Sequence, residues 1–184
     1  MNATRRQGVS LASARDRSLR EGAGLISHVR IDSRLIHGQV VEAWLPALKV
    51  ARVVVADDEA AQSALMRAAM GLAVPPGVEV DISRLDEVPF AQLDKDNVRT
   101  LVLLRDVAGL LRARSRGLPL RHLNLGNIHH APGRRAVSAS VYLSPEELEQ
   151  LRGLVDSGVE VEARGVPTDR PIGFAEMAQR FEKG

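Results

Sequence analysis

One short polar stretch carries the side chains most able to do chemistry: Arg30-Ile31-Asp32-Ser33-Arg34-Leu35-Ile36-His37-Gly38-Gln39. It holds an imidazole, two guanidinium groups and a carboxylate. The apolar run from Leu25 through Ile31 reads as a buried strand before it, and Val40-Val41-Glu42-Ala43-Trp44-Leu45 reads as the opening of a helix after it. A loop from a strand end into a helix start aims unpaired backbone NH groups, and the positive end of the helix dipole, at whatever binds there. Such a place favours an anion, phosphate above all. A neutral His37 is a nucleophile beside that anion site. Arg34 and Arg30 can donate charge-assisted hydrogen bonds to phosphoryl oxygens, and Asp32 can keep one ring nitrogen protonated so that the other retains its lone pair. Ser33, Gly38 and Gln39 complete the expected phosphate-binding set, Gly38 because its missing side chain lets a bulky group come close. The chemistry implied is phosphoryl transfer through histidine. For one histidine near two arginines taken alone, a plainer alternative leads: an Asp32–Arg34 loop salt bridge and a helix-start histidine without function.

The elements that must position this loop follow from the pattern of the chain. From residue 27 onward short apolar runs alternate with helical patterns, the signature of an α/β sheet. Strands are expected at 51–56, 78–82, 100–104, 120–125, 136–143 and 159–163, with helices at 60–72, 107–116, 144–157 and 174–181 and a weaker helical segment, broken by Pro89, at 85–93. Ser144, Pro145 and Glu147 spell a capped helix start. The fold expected is a single three-layer α/β/α domain with a mostly parallel open sheet. Ligands of such sheets bind at the carboxyl ends of the strands. The loops after Leu104 and Leu125 should therefore share an edge with the His37 loop, which brings in Arg105, Asp106, Gly126 and Asn127 as pocket rim. Arg105-Asp106 can equally pair across the strand end, and Gly126-Asn127 can be only a turn.

Composition narrows the classes of function. At 184 residues the chain suits one domain, and 45% apolar with 26% charged residues is ordinary for a globular protein. No window approaches the roughly 18 uninterrupted apolar residues of a membrane helix. The absence of cysteine excludes disulfides, thiolate metal sites and a cysteine nucleophile, and agrees with a cytoplasmic location. The net charge of +2 divides into +3 on residues 1–26 and −1 on the remainder. Residues 1–26 are rich in Arg, Ser, Ala and Gly without apolar periodicity, and read as a flexible basic extension to a domain spanning 27–184. Nucleic-acid binding rests on that arm alone and lacks an aromatic stacking surface. No Gly-x-Gly-x-x-Gly or Walker pattern follows a strand, so a nucleotide site is not expected. Nor is a metal: His129 and His130 are adjacent and point in different directions, and no third ligand is suitably spaced. His28 and His122 read as structural.

Val29-Arg-Ile-Asp-Ser-Arg-Leu-Ile-His-Gly-Gln-Val40 resembles the active-site signature of the IIB components of the mannose/fructose/sorbose branch of the bacterial phosphoenolpyruvate-dependent sugar phosphotransferase system. The resemblance continues through Asn124-Leu-Gly-Asn-Ile-His129, Pro132-Gly133-Arg134, Ser144-Pro-Glu-Glu and Gly158-Val-Glu-Val161 to Val166-Pro167-Thr168-Asp169. It covers residues 27 to about 170. Other IIB families carry a phosphorylated cysteine, so a chain without cysteine fits only the histidine type. The resemblance implies that His37 takes a phosphoryl group on Nδ1 from a phosphorylated IIA protein and passes it to a sugar, with Arg34 and Asp32 as its catalytic neighbours and no cofactor. It places His129 beside the pocket. It implies membrane IIC and IID components as partners, and a cytoplasmic protein peripherally associated with the transporter. A IIB-like regulatory phospho-acceptor or binding module uncoupled from transport is the alternative. Leu35, Ile36 and the Arg112 to Arg116 face are candidate donor contacts, and the size suits a monomer or a modest homodimer. Two positions depart from the family pattern: Ser33, where many relatives have a second acid, and Gly126-Asn127-Ile128, where many have Gly-Gly-Met.

Overall fold

A computed structural model of the chain describes residues 26–183. The basic extension, apart from Ile26, lies outside the described residues. β1 (Ile26–Asp32), β2 (Arg52–Ala56), β3 (Glu79–Ser83), β4 (Thr100–Leu104), β5 (His122–Asn127) and β8 (Glu160–Ala163) form a parallel sheet, closed on one edge by the antiparallel β9 (Ile172–Gly173). The strand order is β3-β2-β4-β1-β5-β8-β9. The chain thus starts in the middle, builds outward to β3, returns to β4 and then crosses β1 to lay down β5. At β1 the direction of winding reverses, which is where open α/β sheets form their crevice.

Buried parallel strands need apolar residues on both faces. On β2 and β4 this holds: Val53, Val55, Leu101 and Leu103 face one helical layer, and Val54, Val102 and Leu104 face the other. The first layer comprises the helical segment 38–48, π-helical over Val40–Trp44 and ending in α1 (Leu45–Leu48), with α2 (Asp58–Gln62) and α3 (Ala64–Ala73). The second comprises α4 (Phe90–Leu93), α5 (Val107–Ser115), α6 (Pro145–Asp156) and α7 (Phe174–Lys183), whose Val107, Leu110, Leu151, Leu154 and Met177 are buried against the sheet. The architecture is the expected three-layer α/β/α. β1 is different: Val29 and Ile31 join the second layer's core, but the alternate residues His28, Arg30 and Asp32 are polar and also buried.

Two local expectations are corrected, and one strand is added. The helix read over 60–72 is two helices, because the Ser63 hydroxyl accepts from Met66 N at 3.2 Å and caps a new start. The strand read over 136–143 is a hairpin of β6 (Arg135–Ala136) and β7 (Tyr142–Leu143), turned where the Ser138 hydroxyl accepts from the NH groups of Ser140 and Val141. β9 was not expected at all. The Ser144–Glu147 capping box forms as read, with Glu147 N to Ser144 Oγ at 3.1 Å and Ser144 N to Glu147 Oε2 at 2.9 Å.

Candidate active site

The His37 loop leaves the carboxyl end of β1 through a tight turn in which Leu35 N donates to Asp32 O at 2.8 Å. Leu35 takes the left-handed conformation, φ 57°, unusual for a residue that is not glycine. Its side chain is 1% exposed, so apolar burial offsets that strain and pins the turn. Ile36 is buried beside it, and Val41 N donates to His37 O at 3.0 Å as the helix begins. His37 is thereby held at a strand–turn–helix junction with its side chain 16% exposed.

His37 Nε2 lies 2.9 Å from Asp32 Oδ2. The same oxygen accepts from Arg30 Nη2 at 2.9 Å, while Oδ1 accepts from Arg34 N at 3.2 Å and Arg34 Nε at 3.5 Å. Burial by itself would raise the Asp32 carboxyl. The hydrogen bond from His37, the Arg30 charge and the Arg34 backbone NH outweigh it and hold this carboxyl below the ordinary aspartate value. An ionised carboxylate only accepts, so the proton of neutral His37 sits on Nε2 and Nδ1 carries the lone pair. Arg34, 39% exposed, reaches Gln39 Oε1 at 2.9 Å and lines the open side of the loop. A Cβ at Gly38 would meet nothing within 4 Å, so the space beside the histidine is open to an incoming group.

The other expected residues fall into three places. Ser33 joins the loop, but its hydroxyl is engaged: Oγ donates to Asn127 Oδ1 at 2.7 Å, and Ser33 N donates to Asn127 O at 2.9 Å. The two positions that depart from the family pattern thus clasp each other. Arg30, expected to bind phosphate, is fully buried beneath the loop and its Nη1 and Nη2 donate to protein acceptors, so it is no phosphate ligand in this arrangement. Gly126 packs onto that guanidinium. Arg105 and Asp106 line a separate depression beyond β4: Arg105 pairs with Asp57 at 2.7 Å, and Asp106 caps α5 through Gly109 N at 2.7 Å. His129 is exposed on the loop after β5, where its carbonyl accepts from Arg134 Nη1 at 3.0 Å; no hydrogen bond joins its ring to His37 among the described residues.

The expected donor contacts also change. Leu35 and Ile36 are core residues. Arg112 is charge-paired with Asp58 and Asp86, while Arg114 donates to the Ser157 hydroxyl and Arg116 to the Asp86 carbonyl, so only the first of these charges is neutralised locally. Four residues at the site have no site role in the sequence reading, although Asn124 opens one of the resembling stretches. Trp44 donates Nε1–H to Gly165 O at 2.9 Å, Asn124 and the Arg164 carbonyl receive Arg30, and the Gly165 carbonyl receives both Trp44 and Arg30. Their one signal was a polar Asn124 inside an apolar strand run. Among the described residues no cluster of three His, Asp or Glu side chains forms a metal site.

Fold and site define a doubly wound α/β domain that sets one histidine, backed by an ionised aspartate, at its switch point. The family model described as the PTS system sorbose subfamily IIB component matches residues 26–183, and the chain belongs to this family of phosphotransferase-system components. The N-acetylgalactosamine-specific phosphotransferase enzyme IIB component 2 of Escherichia coli strain K12 is 30% identical over 144 residues, 78% of this chain and 92% of that protein. The mannose-specific EIIAB component of the same strain is 27% identical over 162 residues, which is 86% of this chain; the chain spans about half of that relative's length (50%). The crystal structure of manxB from Thermoanaerobacter tengcongensis superposes with a TM-score of 0.75 at 30% identity, covering 84% of this chain and 95% of that one. No helix among the described residues is long and apolar enough to cross a membrane.

Proposed function

We propose that Nδ1 of His37 accepts a phosphoryl group from a phosphorylated IIA protein and passes it to a sugar of the mannose/fructose/sorbose class during uptake. The observation that carries this reading is the 2.9 Å contact of His37 Nε2 with buried, ionised Asp32, which leaves Nδ1 as the nucleophile of a side chain that is itself 16% exposed. In the first step the Nδ1 lone pair attacks phosphorus in line, and the phosphorus–nitrogen bond to the donor breaks with its electron pair returning to the donor. Arg34 and the loop NH groups balance charge on the equatorial oxygens. Asp32 stabilises the positive charge the ring acquires. In the second step a sugar hydroxyl attacks phosphorus and releases its proton to solvent, and the bond to Nδ1 breaks with its electron pair returning to the ring.

The partners in this reading are the IIA donor and membrane IIC and IID components, with the chain acting at the cytoplasmic face of the transporter. Relatives of similar identity bear the names of mannose and N-acetylgalactosamine. That spread supports a site that holds the phosphoryl group while the choice of sugar is made elsewhere.

The test is transfer of labelled phosphate from phosphoenolpyruvate, through Enzyme I, HPr and a IIA protein, to the wild type and to His37→Ala. Label on the wild type alone, stable to base and labile to acid, is expected. Label on a folded His37→Ala protein overturns the assignment, and label on neither makes the site a binding module.

A further inference from the structure

The loop that carries His37 rests on a charge that no phosphate can reach. Arg30 is 0% exposed, yet its guanidinium makes bonds in four directions: Nη2 to Asp32 Oδ2 at 2.9 Å and to Gly165 O at 3.2 Å, Nη1 to Arg164 O at 3.0 Å and to Asn124 Oδ1. The Trp44 ring covers it, centroid 4.9 Å from Cζ, and Trp44 itself is tied to the same Gly165 carbonyl. On the β5 side it lies against Gly126, where a Cβ would overlap the guanidinium. The cation is therefore fixed by β5, the helical segment 38–48 and the loop after β8 at once.

Arg30 and His37 meet on one atom, Asp32 Oδ2. Arg34 also touches this carboxylate, but through Oδ1, with a longer Nε contact of 3.5 Å from a side chain 39% exposed, where water weakens the pair. The buried guanidinium is the stronger and more rigid of the two holds. We propose that Arg30 is the positioning residue of the acceptor site: from beneath, it clamps the Asp32 carboxylate in the orientation that receives His37 Nε2–H and leaves Nδ1 open, and residue 126 is glycine because the guanidinium occupies the place of a side chain there. This rests on the reading of His37 as acceptor for its catalytic consequence, but its structural content concerns the unphosphorylated protein.

The experiment uses the full chain with nitrogen-15 histidine. The imidazole nitrogens of His37 are recorded in the wild type, Arg30→Met, Gly126→Ala and the double variant, each checked for folding by the fluorescence of Trp44, the single tryptophan. Gly126→Ala is the decisive variant, because it displaces the guanidinium while leaving every charge of the site in the chain. The wild type is expected to show the Nε2–H tautomer alone. Arg30→Met and Gly126→Ala are expected to show both tautomers and to accept phosphate about ten- to a hundredfold more slowly, the usual range for a lost supporting partner. Gly126→Ala is expected to add nothing further once Arg30 is Met, since the overlap is gone. A folded Gly126→Ala protein with the wild-type tautomer overturns the proposal, as does a wild type without a single tautomer. A purely structural Arg30 would lower stability and leave the His37 signals unmoved, which also overturns it. If the wild type takes no phosphate, the proposed function fails, and the tautomer readout still decides this inference.

Discussion

Asp32→Asn probes the buried charge balance most directly. All the groups around this carboxylate are donors: Arg30 Nη2, His37 Nε2–H, Arg34 N and Arg34 Nε. An amide keeps the shape but puts an NH2 where only acceptors fit, and it leaves the Arg30 guanidinium, 0% exposed, without its paired carboxylate, Glu162 acting only from farther off. Breaking a buried pair from one side costs about 3–5 kcal/mol. With a urea dependence of about 2 kcal/mol per molar, the unfolding midpoint should fall by about 2 M. Trp44 is itself fully buried against Arg30 and reports the transition by its fluorescence. The ring can relieve the clash by moving its proton, so Nε2 accepts from the amide and Nδ1 becomes the protonated, blocked nitrogen. Phosphate acceptance should fall with it. Asp57→Asn is the internal control: its partner Arg105 is 30% exposed and can be hydrated, so the loss there should stay near about 1 kcal/mol. An Asp32→Asn protein that loses less than about 1 kcal/mol while His37 keeps its tautomer would refute the reasoning, because a surface pair would cost as much.

His28 should make stability depend on pH in the mildly acid range. Its imidazole is held well below the ordinary histidine value by burial, and further by His122, Arg30 and Arg164. The unfolded chain therefore binds a proton there that the folded chain refuses, and stability falls as pH drops below about 6.5. His28→Phe, which keeps a ring against Trp44, should flatten the urea midpoint over that window; an unchanged slope would show that His28 is not the group responsible. Asp32 acts lower: its contribution is present above the unfolded aspartate value and lost as pH falls through its depressed folded one, so wild type and Asp32→Asn should converge in stability in strong acid. Arg34→Ala should leave the unfolding free energy within about 0.5 kcal/mol, its pair being partly exposed, yet slow phosphate acceptance about a hundredfold. Equal losses in both would place Arg34 in the frame rather than at the phosphoryl group.

Elements governed by local pattern were legible in the sequence, and those governed by what packs above them were not. β4 is read to the residue because Thr100–Leu104 is apolar on both faces, and α6 because its cap chemistry is written in Ser144 and Glu147. The His37 loop was legible because its residue types have few other uses together. Arg30 was misread for a physical reason: charge in a strand signals an end or an edge, and only the Trp44 ring, the bare Gly126 and the carbonyls of Arg164 and Gly165 make an interior place for it. Those groups lie between 14 and 135 positions away, where no local pattern reaches. Arg105 was misplaced by the same limit. The shared sheet edge was foreseen, but its pairing with Asp57 across β2 and β4 was not.

A central strand of a parallel sheet gains most by being apolar on both faces, and β1 gives that up on one of them. His28, Arg30 and Asp32 alternate down that face, and Asn124 of the neighbouring β5 continues the polar layer. Stability does not explain the choice, since apolar residues of similar volume often replace a buried ion pair at no loss, or with a gain of about 1–4 kcal/mol. What an ion pair supplies that leucine cannot is a fixed field. Under the cover of Trp44 the Arg30–Asp32 pair is shielded from water, where charges act over low dielectric and reorient little. The pair touches the described loop that bears a partly exposed histidine, and it touches that histidine on one ring nitrogen. A polar layer that costs stability, is hidden from solvent and ends on a single imidazole atom fits a device for keeping the other nitrogen ready to react.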